Sequence, residues 1–463
     1  MKIYNTLTRK LEDFKTIESE HIRFYHCGPT VYWTQHIGNL RGMTMADLIR
    51  RTLIYLGYKI KFVRNYTDVG HLTSDADTGE DKMETGVKRE GLSPQAIAEK
   101  YIKIFEDDCR KLNILKPDLT PRASEYIASI IDFIQILLDK GYAYHTQQAI
   151  YYDVSKFKNY NQLNRQQIGY NQQGRGKGEV FDLQKKHFID FALWFFKTGV
   201  HKNALQTWDS PWGRGFPGWH IECSVMAKEL LGKTLDIHMG GIEHIAIHHT
   251  NEIAQSEAAN GVRFVNYWLH NEHLKVNSKK MAKSDATGIV LDQVINQGFS
   301  PLDLRYFFLT SHYRSQQNFT WEALDNAKKA RLNLNNKIKE LLNSSTKKGL
   351  VNEEYKNRFI AAVSLDFNIP QALAITWESL KSNLSADDKL ATIINFDKIL
   401  GLNLAQLQLD FIPNQIHALA QKRLTAKMKK DFTTADKIRQ EIVKQGYLIE
   451  DTPDGYTLKK SSS

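Results

Sequence analysis

A chain of 463 residues, 42% hydrophobic and 25% charged, is long enough for about three domains and for a sizeable buried core. Lys and Arg total 62 against 52 acidic residues, a formal net charge of +10 that favours a polyanionic partner. Three cysteines argue against a disulfide framework and for a reducing compartment. The opening MKIYNTLTRKLEDF lacks a continuous apolar run, and the most apolar later stretch, 127–138, is broken by Asp132 and Gln135, so neither a secretory leader nor a membrane span is expected.

In chain order, an apolar strand over 22–27 meets a Gly/Pro turn, a periodic helix over 40–55 and a second strand over 60–64. That is a βαβ unit, whose ligands bind at the carboxyl ends of the strands, here Cys27 and residues 65–68. Amphipathic helices follow over 94–112 and 124–140. An Asn/Gln/Gly-rich segment, 159–178, reads as a flexible insertion. Strand-like chemistry resumes near Thr207, and from Trp321 onward the pattern is helical, with polar breaks at 343–349 and 382–388.

Two stretches carry nucleotide chemistry. GPTVYWTQHIGN, 28–39, stands between the first strand and the helix it feeds, where unpaired backbone N–H groups and a partial positive charge attract phosphate. Gly38 permits close approach there and His36 faces the phosphates. Each motif has a bland alternative, since a four-residue HIGN recurs by chance and a KKMAKS run is usually a solvated loop. Lys280, Lys283 and Ser284 in NSKKMAKSDATG also suit a loop that closes over a triphosphate and offsets charge as pyrophosphate leaves.

Cys27, Cys223, His248 and Glu252 form a candidate metal set, because His248 and Glu252 lie four apart on a helical stretch and project from one face. Two sulfurs, an imidazole and a carboxylate suit zinc. His238, His244 and His249 qualify equally on composition. Cys109 falls with Ile102, Phe105 and Leu112 on an apolar stripe and reads as packing.

In order, HIGN and KMAKS resemble the HIGH and KMSKS pair of class I aminoacyl-tRNA synthetases. CGPTVY, KLNILKPDLTPRA, FALW, GWHIEC, HHTNEIAQSEA, LRYFFLTSHYRSQQNF and FTTADKIRQEI extend the likeness along essentially the whole chain, which resembles the cysteinyl-tRNA synthetases. Asn39 and Ala282 depart from the HIGH and KMSKS forms, and Thr250 stands where the family often has Glu. The resemblance implies an α/β fold: a Rossmann-like class I catalytic domain with a parallel sheet, split by a connective insertion and followed by an all-helical C-terminal region. The implied boundaries are 1–116 and 206–284 for the catalytic halves and 117–205 for the insertion. A stem-contact segment over 285–319, a tRNA-binding bundle over 320–404 and a small anticodon-binding domain over 405–463 complete the chain.

The resemblance also implies the chemistry. Zinc sits on Cys27, Cys223, His248 and Glu252 and takes the substrate thiolate. Gly28, Thr67, Trp219 and His238 line the cysteine pocket, and Thr30, His36, Gly38, Asn39, Lys280, Lys283 and Ser284 serve ATP with Mg²⁺. A steric pocket separates serine from cysteine by only about 10 to 200-fold, whereas a soft metal prefers the thiolate on chemical grounds. The expected partners are ATP, L-cysteine and tRNA(Cys), with a cytoplasmic monomer and no membrane. Between 421 and 445 eight basic residues face three acidic ones, so Lys422, Arg423, Lys427, Lys429 and Lys430 are the candidate phosphate contacts. Two rivals remain: a mycothiol-pathway cysteine ligase, a family without a long RNA-binding extension, and a silent paralogue that only binds RNA or senses cysteine.

Overall fold

The computed structural model describes residues 1–70, 72, 81–165, 182–277, 279–280, 288–408, 412–452 and 455–460. Its centre is a four-stranded, wholly parallel sheet built from β1 (His21–His26), β2 (Lys59–Arg64), β3 (Leu235–Gly241) and β4 (Val265–Asn271), in the order β4-β3-β1-β2. In both β1 and β2 the last three residues are buried while the first is exposed, so burial deepens toward the carboxyl ends. The crossover between them is α1 (Ile37–Tyr55), which starts three residues before the apolar period suggests. Its cap is His36, whose Nδ1 accepts the Asn39 N–H at 3.2 Å.

Helix α1 is buried on nearly all sides because the sheet lies against one flank and the later helices against another. Two buried arginines tie these layers. Arg41, fully buried, donates to Gln317 Oε1 and to the carbonyls of Glu272, His312 and Ser315; burial lowers its pKa to about 10. Arg305 donates to Asp47 Oδ2 at 2.7 Å and to the carbonyls of Leu400, Leu112 and Asn113. One side chain therefore joins the Pro301–Leu309 helix, α1, the turn after Pro94–Lys111 and the end of Ala386–Leu400.

Between β2 and β3 lie the helices Lys82–Glu90, Pro94–Lys111 and Ile127–Asp139, then an antiparallel sheet of Ala143–His145, Ala149–Tyr152, Phe191–Phe196 and Gly215–Pro217. The sheet and Ile127–Asp139 share their own apolar cluster, with Ile130, Phe133, Ile150, Leu193 and Trp194 at its heart. Cys109 packs in the main core with Ile102, Phe105 and Leu112, as its stripe implies. Of the 159–178 segment, Tyr160–Gln162 forms a short 3-10 turn, and 166–178 lies outside the described residues.

Helix α2 (Trp219–Leu231) leads into β3, and α3 (His248–Asn260), which follows β3, packs on α2. The C-terminal third is helical: Trp321–Ser344, Glu353–Ser364, Ile369–Lys381, Ala386–Leu400, Asn414–Met428 and Phe432–Lys444. It ends on an antiparallel pair, Tyr447–Thr452 with Gly455–Lys460, which modifies the all-helical expectation. That last unit holds a small core of Ile416, Ala420, Ile442 and Ile449. Among the described residues no helix is long and apolar enough to cross a membrane.

Candidate active site and metal centre

Four elements bring the donors together. Cys27 follows β1 and still donates its N–H to Met239 O of β3 at 3.1 Å, so the sheet fixes its backbone. Cys223 comes from α2, and His248 and Glu252 occupy the first two turns of α3. The ligand atoms of Cys27, Cys223, His248 and Glu252 all lie within 4.8 Å of one another, and all four residues are buried. A second set, Cys27, His238, His249 and Glu252, meets the same distance test and shares two members.

Their surroundings orient the rings. His220 Nδ1 lies 3.0 Å from His248 Nδ1, which leaves His248 Nε2 turned inward, 3.1 Å from Glu252 Oε1. Trp219 stacks on His248 with centroids 4.1 Å apart. His249 Nδ1 is 2.7 Å from His270 Nε2, whose Nδ1 reaches Thr6 Oγ1, while His249 Nε2 faces Cys27 Sγ at 3.3 Å. His238 Nε2 sits 2.9 Å from Glu252 Oε2 and stacks on Trp268. A partner on one ring nitrogen fixing the other toward a shared point is the arrangement of a metal ligand.

Burial, then neighbouring Cys223 and Glu252, push the Cys27 thiol well up, and burial does the same to Glu252. Burial brings His238 down to about 3 and lowers His249 and His270. Neutral imidazoles beside acids that repel one another when ionised are what a bound cation would exploit, since its charge inverts the cost of ionising thiol and carboxyl. The donor set therefore fits a soft divalent metal, zinc first. Glu222 was not singled out from the sequence. It is fully buried beside Cys223. Burial and then Cys223 and Asp68 raise its pKa.

The 28–36 loop links this centre to the start of α1. Gly28 donates to Asn65 Oδ1 at 2.9 Å, and a Cβ there would meet Asn65 O at 1.6 Å, so only glycine allows the chain to pass. Thr30 pairs in parallel with Thr67, whose hydroxyl lies 3.3 Å from Asn65 Nδ2. Gly38 and Asn39 occupy the first turn of α1, at the positive end of the helix. Lys279–Lys280 form a short strand against Lys275 and Val276. Beyond the loop, Ile289 O accepts the Ile37 N–H at 2.8 Å and Val290 bridges His36. The chain that follows the lysine-rich loop is thus anchored at the HIGN turn. Ala282, Lys283 and Ser284 themselves lie outside the described residues.

Residues 13–329 match the family model described as tRNA synthetases class I (C) catalytic domain. Along 99% of its length the chain is 43% identical to Cysteine–tRNA ligase 1 of Burkholderia lata, of which it covers 96%. The Cysteine–tRNA ligase of Treponema denticola is 41% identical, with 99% of each chain aligned. The chain belongs to the cysteine–tRNA ligase family. Family membership makes it an enzyme of the ligase class with an aminoacyl-tRNA synthetase catalytic domain. Two solved structures share the fold: the Mycobacterium tuberculosis methionyl-tRNA synthetase in complex with methionyl-adenylate, and the ternary complex of Agrobacterium radiobacter K84 agnB2 LeuRS, tRNA and LeuAMS. The first aligns at TM-score 0.56 and 14% identity over 83% of this chain and 91% of that one; the second at 0.59 and 11% over 85% of each.

One candidate phosphate contact is removed from that role by the structure. Arg423 is buried and forks onto Asp451 Oδ1 and Oδ2 at 2.7 and 3.1 Å, clamping Asn414–Met428 to the terminal hairpin. Lys427 reaches Asp451 at 2.8 Å. Lys422, Lys429 and Lys430 are exposed.

Proposed function

We propose that this chain activates L-cysteine with ATP to cysteinyl-adenylate and transfers it to the 3′ end of tRNA(Cys), with zinc held by Cys27, Cys223, His248 and Glu252. The observation that carries the reading is the convergence of those four donors beside a loop that runs directly into the HIGN turn. The set with two thiols and one imidazole is favoured over Cys27, His238, His249 and Glu252 because two sulfur donors suit a thiol-selecting metal better than one. When bound, zinc supplies a soft Lewis-acidic position that prefers a thiolate to an alcohol.

The chain's own groups do the rest. Gly28, Thr67, Trp219 and His238 wall the amino-acid pocket, Trp219 and His238 each held by a stacked partner. The first turn of α1, with Thr30, His36, Gly38 and Asn39, holds the nucleotide. Lys280, Lys283 and Ser284 close over the phosphates with Mg²⁺ and offset charge while the cysteine carboxylate attacks the α-phosphorus and pyrophosphate departs. The terminal ribose hydroxyl then attacks the activated carbonyl, and positioning supplies most of the acceleration. On this reading 1–116 and 206–284 are the catalytic halves, 117–205 the insertion and 285–463 the RNA-binding side. The protein acts as a cytoplasmic monomer.

The test is charging of tRNA by labelled cysteine, with serine in parallel and zinc measured on the same preparation. Cysteine-only charging with one zinc per chain is expected. Cysteine-dependent ATP–pyrophosphate exchange without charging would move the acceptor to a small amine, and charging by a zinc-free protein would remove the metal from the selection.

A further inference from the structure

Between the metal donors and the capping His36, one large side chain of the 28–36 loop faces solvent. Trp33 is 39% exposed although its backbone is locked: buried Gln35 donates through Nε2 to the carbonyls of Trp33 at 3.1 Å and Thr30 at 3.2 Å. The indole is also held from behind. The Arg89 guanidinium lies 3.8 Å above the ring centre, and Tyr101 is stacked at 6.5 Å with planes 16° apart. Arg89 is fixed by Tyr32 O at 2.8 Å, Tyr101 OH at 3.0 Å and Glu90 at 2.7 Å, and Lys100 holds Glu90 at 2.6 Å.

An indole clamped on one face and still 39% exposed loses little entropy when a flat group settles on it. Lys88 and Arg89 place positive charge on the same helix, Lys82–Glu90, which suits a phosphate-linked ligand. The loop starts at Cys27 and ends at the nucleotide turn, so whatever stacks on Trp33 stands next to the place of reaction. Resting on the reading above, in which an unpaired RNA end must reach that place, we propose that Trp33 is a stacking platform for an unpaired base at the 3′ end of the transfer RNA. The stacked base steers the terminal ribose toward the adenylate, and Arg89 is the positioning residue behind the ring.

The experiment compares wild type, Trp33→Phe and Trp33→Leu in binding to a tRNA(Cys) transcript and to the same transcript with its 3′ CCA removed. Base–aromatic stacking predicts that wild type prefers the intact RNA by about tenfold, that Trp33→Phe keeps most of this preference, and that Trp33→Leu loses it. Leucine preserves apolar bulk without a π face, so a merely packing role predicts the opposite, with Trp33→Leu behaving as wild type, and would overturn the proposal. Cysteine-dependent ATP–pyrophosphate exchange is expected to be the same in all three. A raised KM for ATP in Trp33→Leu, with unchanged preference between the RNAs, would assign the ring to the nucleotide and also overturn it. Binding does not depend on charging, so a wild type that prefers intact RNA but charges no cysteine would sink the proposed function and leave the platform standing.

Discussion

Cys27 and Cys223 arrive at one point from a strand end and a helix, and both are buried there beside His248 and Glu252. Replacing Cys223 with serine keeps the volume and exchanges a soft donor for a hard one. Zinc content of purified Cys223→Ser is expected to fall below half, and cysteine-dependent exchange by at least about 10²-fold, the scale on which even residues behind the ligands act. Full zinc with full exchange would exclude Cys223 from the set. A different residue sets a pH dependence. Burial lifts Asp108 to about 7, from an ordinary carboxylate value near 4. The folded state therefore keeps a proton that the unfolded chain releases, and folding loses stability as pH rises through the window from about 4 to about 7. Asp108→Asn removes that slope. Its advantage over wild type in urea unfolding is expected to be small at pH 4.5 and about 1–2 kcal/mol at pH 8, allowing for partial solvent screening. An advantage independent of pH would contradict the assignment.

At the scale of elements, the Arg305–Asp47 pair decides whether the Pro301–Leu309 helix and the C-terminal bundle stay registered on α1. Burial would raise Asp47, but Arg305 and Arg51 outweigh it and hold its carboxyl below the usual range, so the pair contributes stability at neutral pH and loses it only in acid. Asp47→Ala strands a fully buried guanidinium and is expected to cost about 3–5 kcal/mol in urea unfolding. Asp47→Leu with Arg305→Met, which buries no charge, is expected to recover most of that loss, and a double variant as weak as Asp47→Ala would refute the argument. Nothing in the sequence announced this pair, because 258 residues separate its members and each alone reads as an ordinary helical charge. The β1-α1-β2 unit is legible from periodicity, but α1 begins three residues before its apolar period because the cap is a histidine rather than Ser, Thr, Asp or Asn. The terminal hairpin is less legible. Its Asp454–Gly455 pair between alternating residues is a recognisable turn signal that the helical pattern upstream overshadowed.

For the molecule as a whole, the proposed function assigns cysteine activation and anchoring of the body of the RNA to different surfaces, so salt is expected to separate them. The candidate metal ligands are buried, Glu252 fully and His248 nearly so, and exchange of pyrophosphate with cysteine should respond weakly to ionic strength. Binding of tRNA should respond steeply, because each neutralised phosphate releases a counterion. Arg423 cannot share in that, being committed to Asp451, whereas Lys422, Lys429 and Lys430 stand exposed on or just beyond Asn414–Met428. Sequence composition could not distinguish the buried cation from the free ones, since both lie in the same basic run and only tertiary packing supplies Asp451. Replacing the three lysines with alanine is expected to raise the KM for tRNA and to flatten the slope of log affinity against log salt by about 2 to 3, one per lost phosphate contact. Cysteine-dependent exchange should stay within about twofold of wild type. Arg423→Ala should behave otherwise, loosening the hairpin and lowering the melting temperature of the terminal unit before it alters any salt slope. If instead Arg423→Ala flattened the slope and the triple lysine variant left it unchanged, the RNA-facing side of this helix would be the face now read as packed.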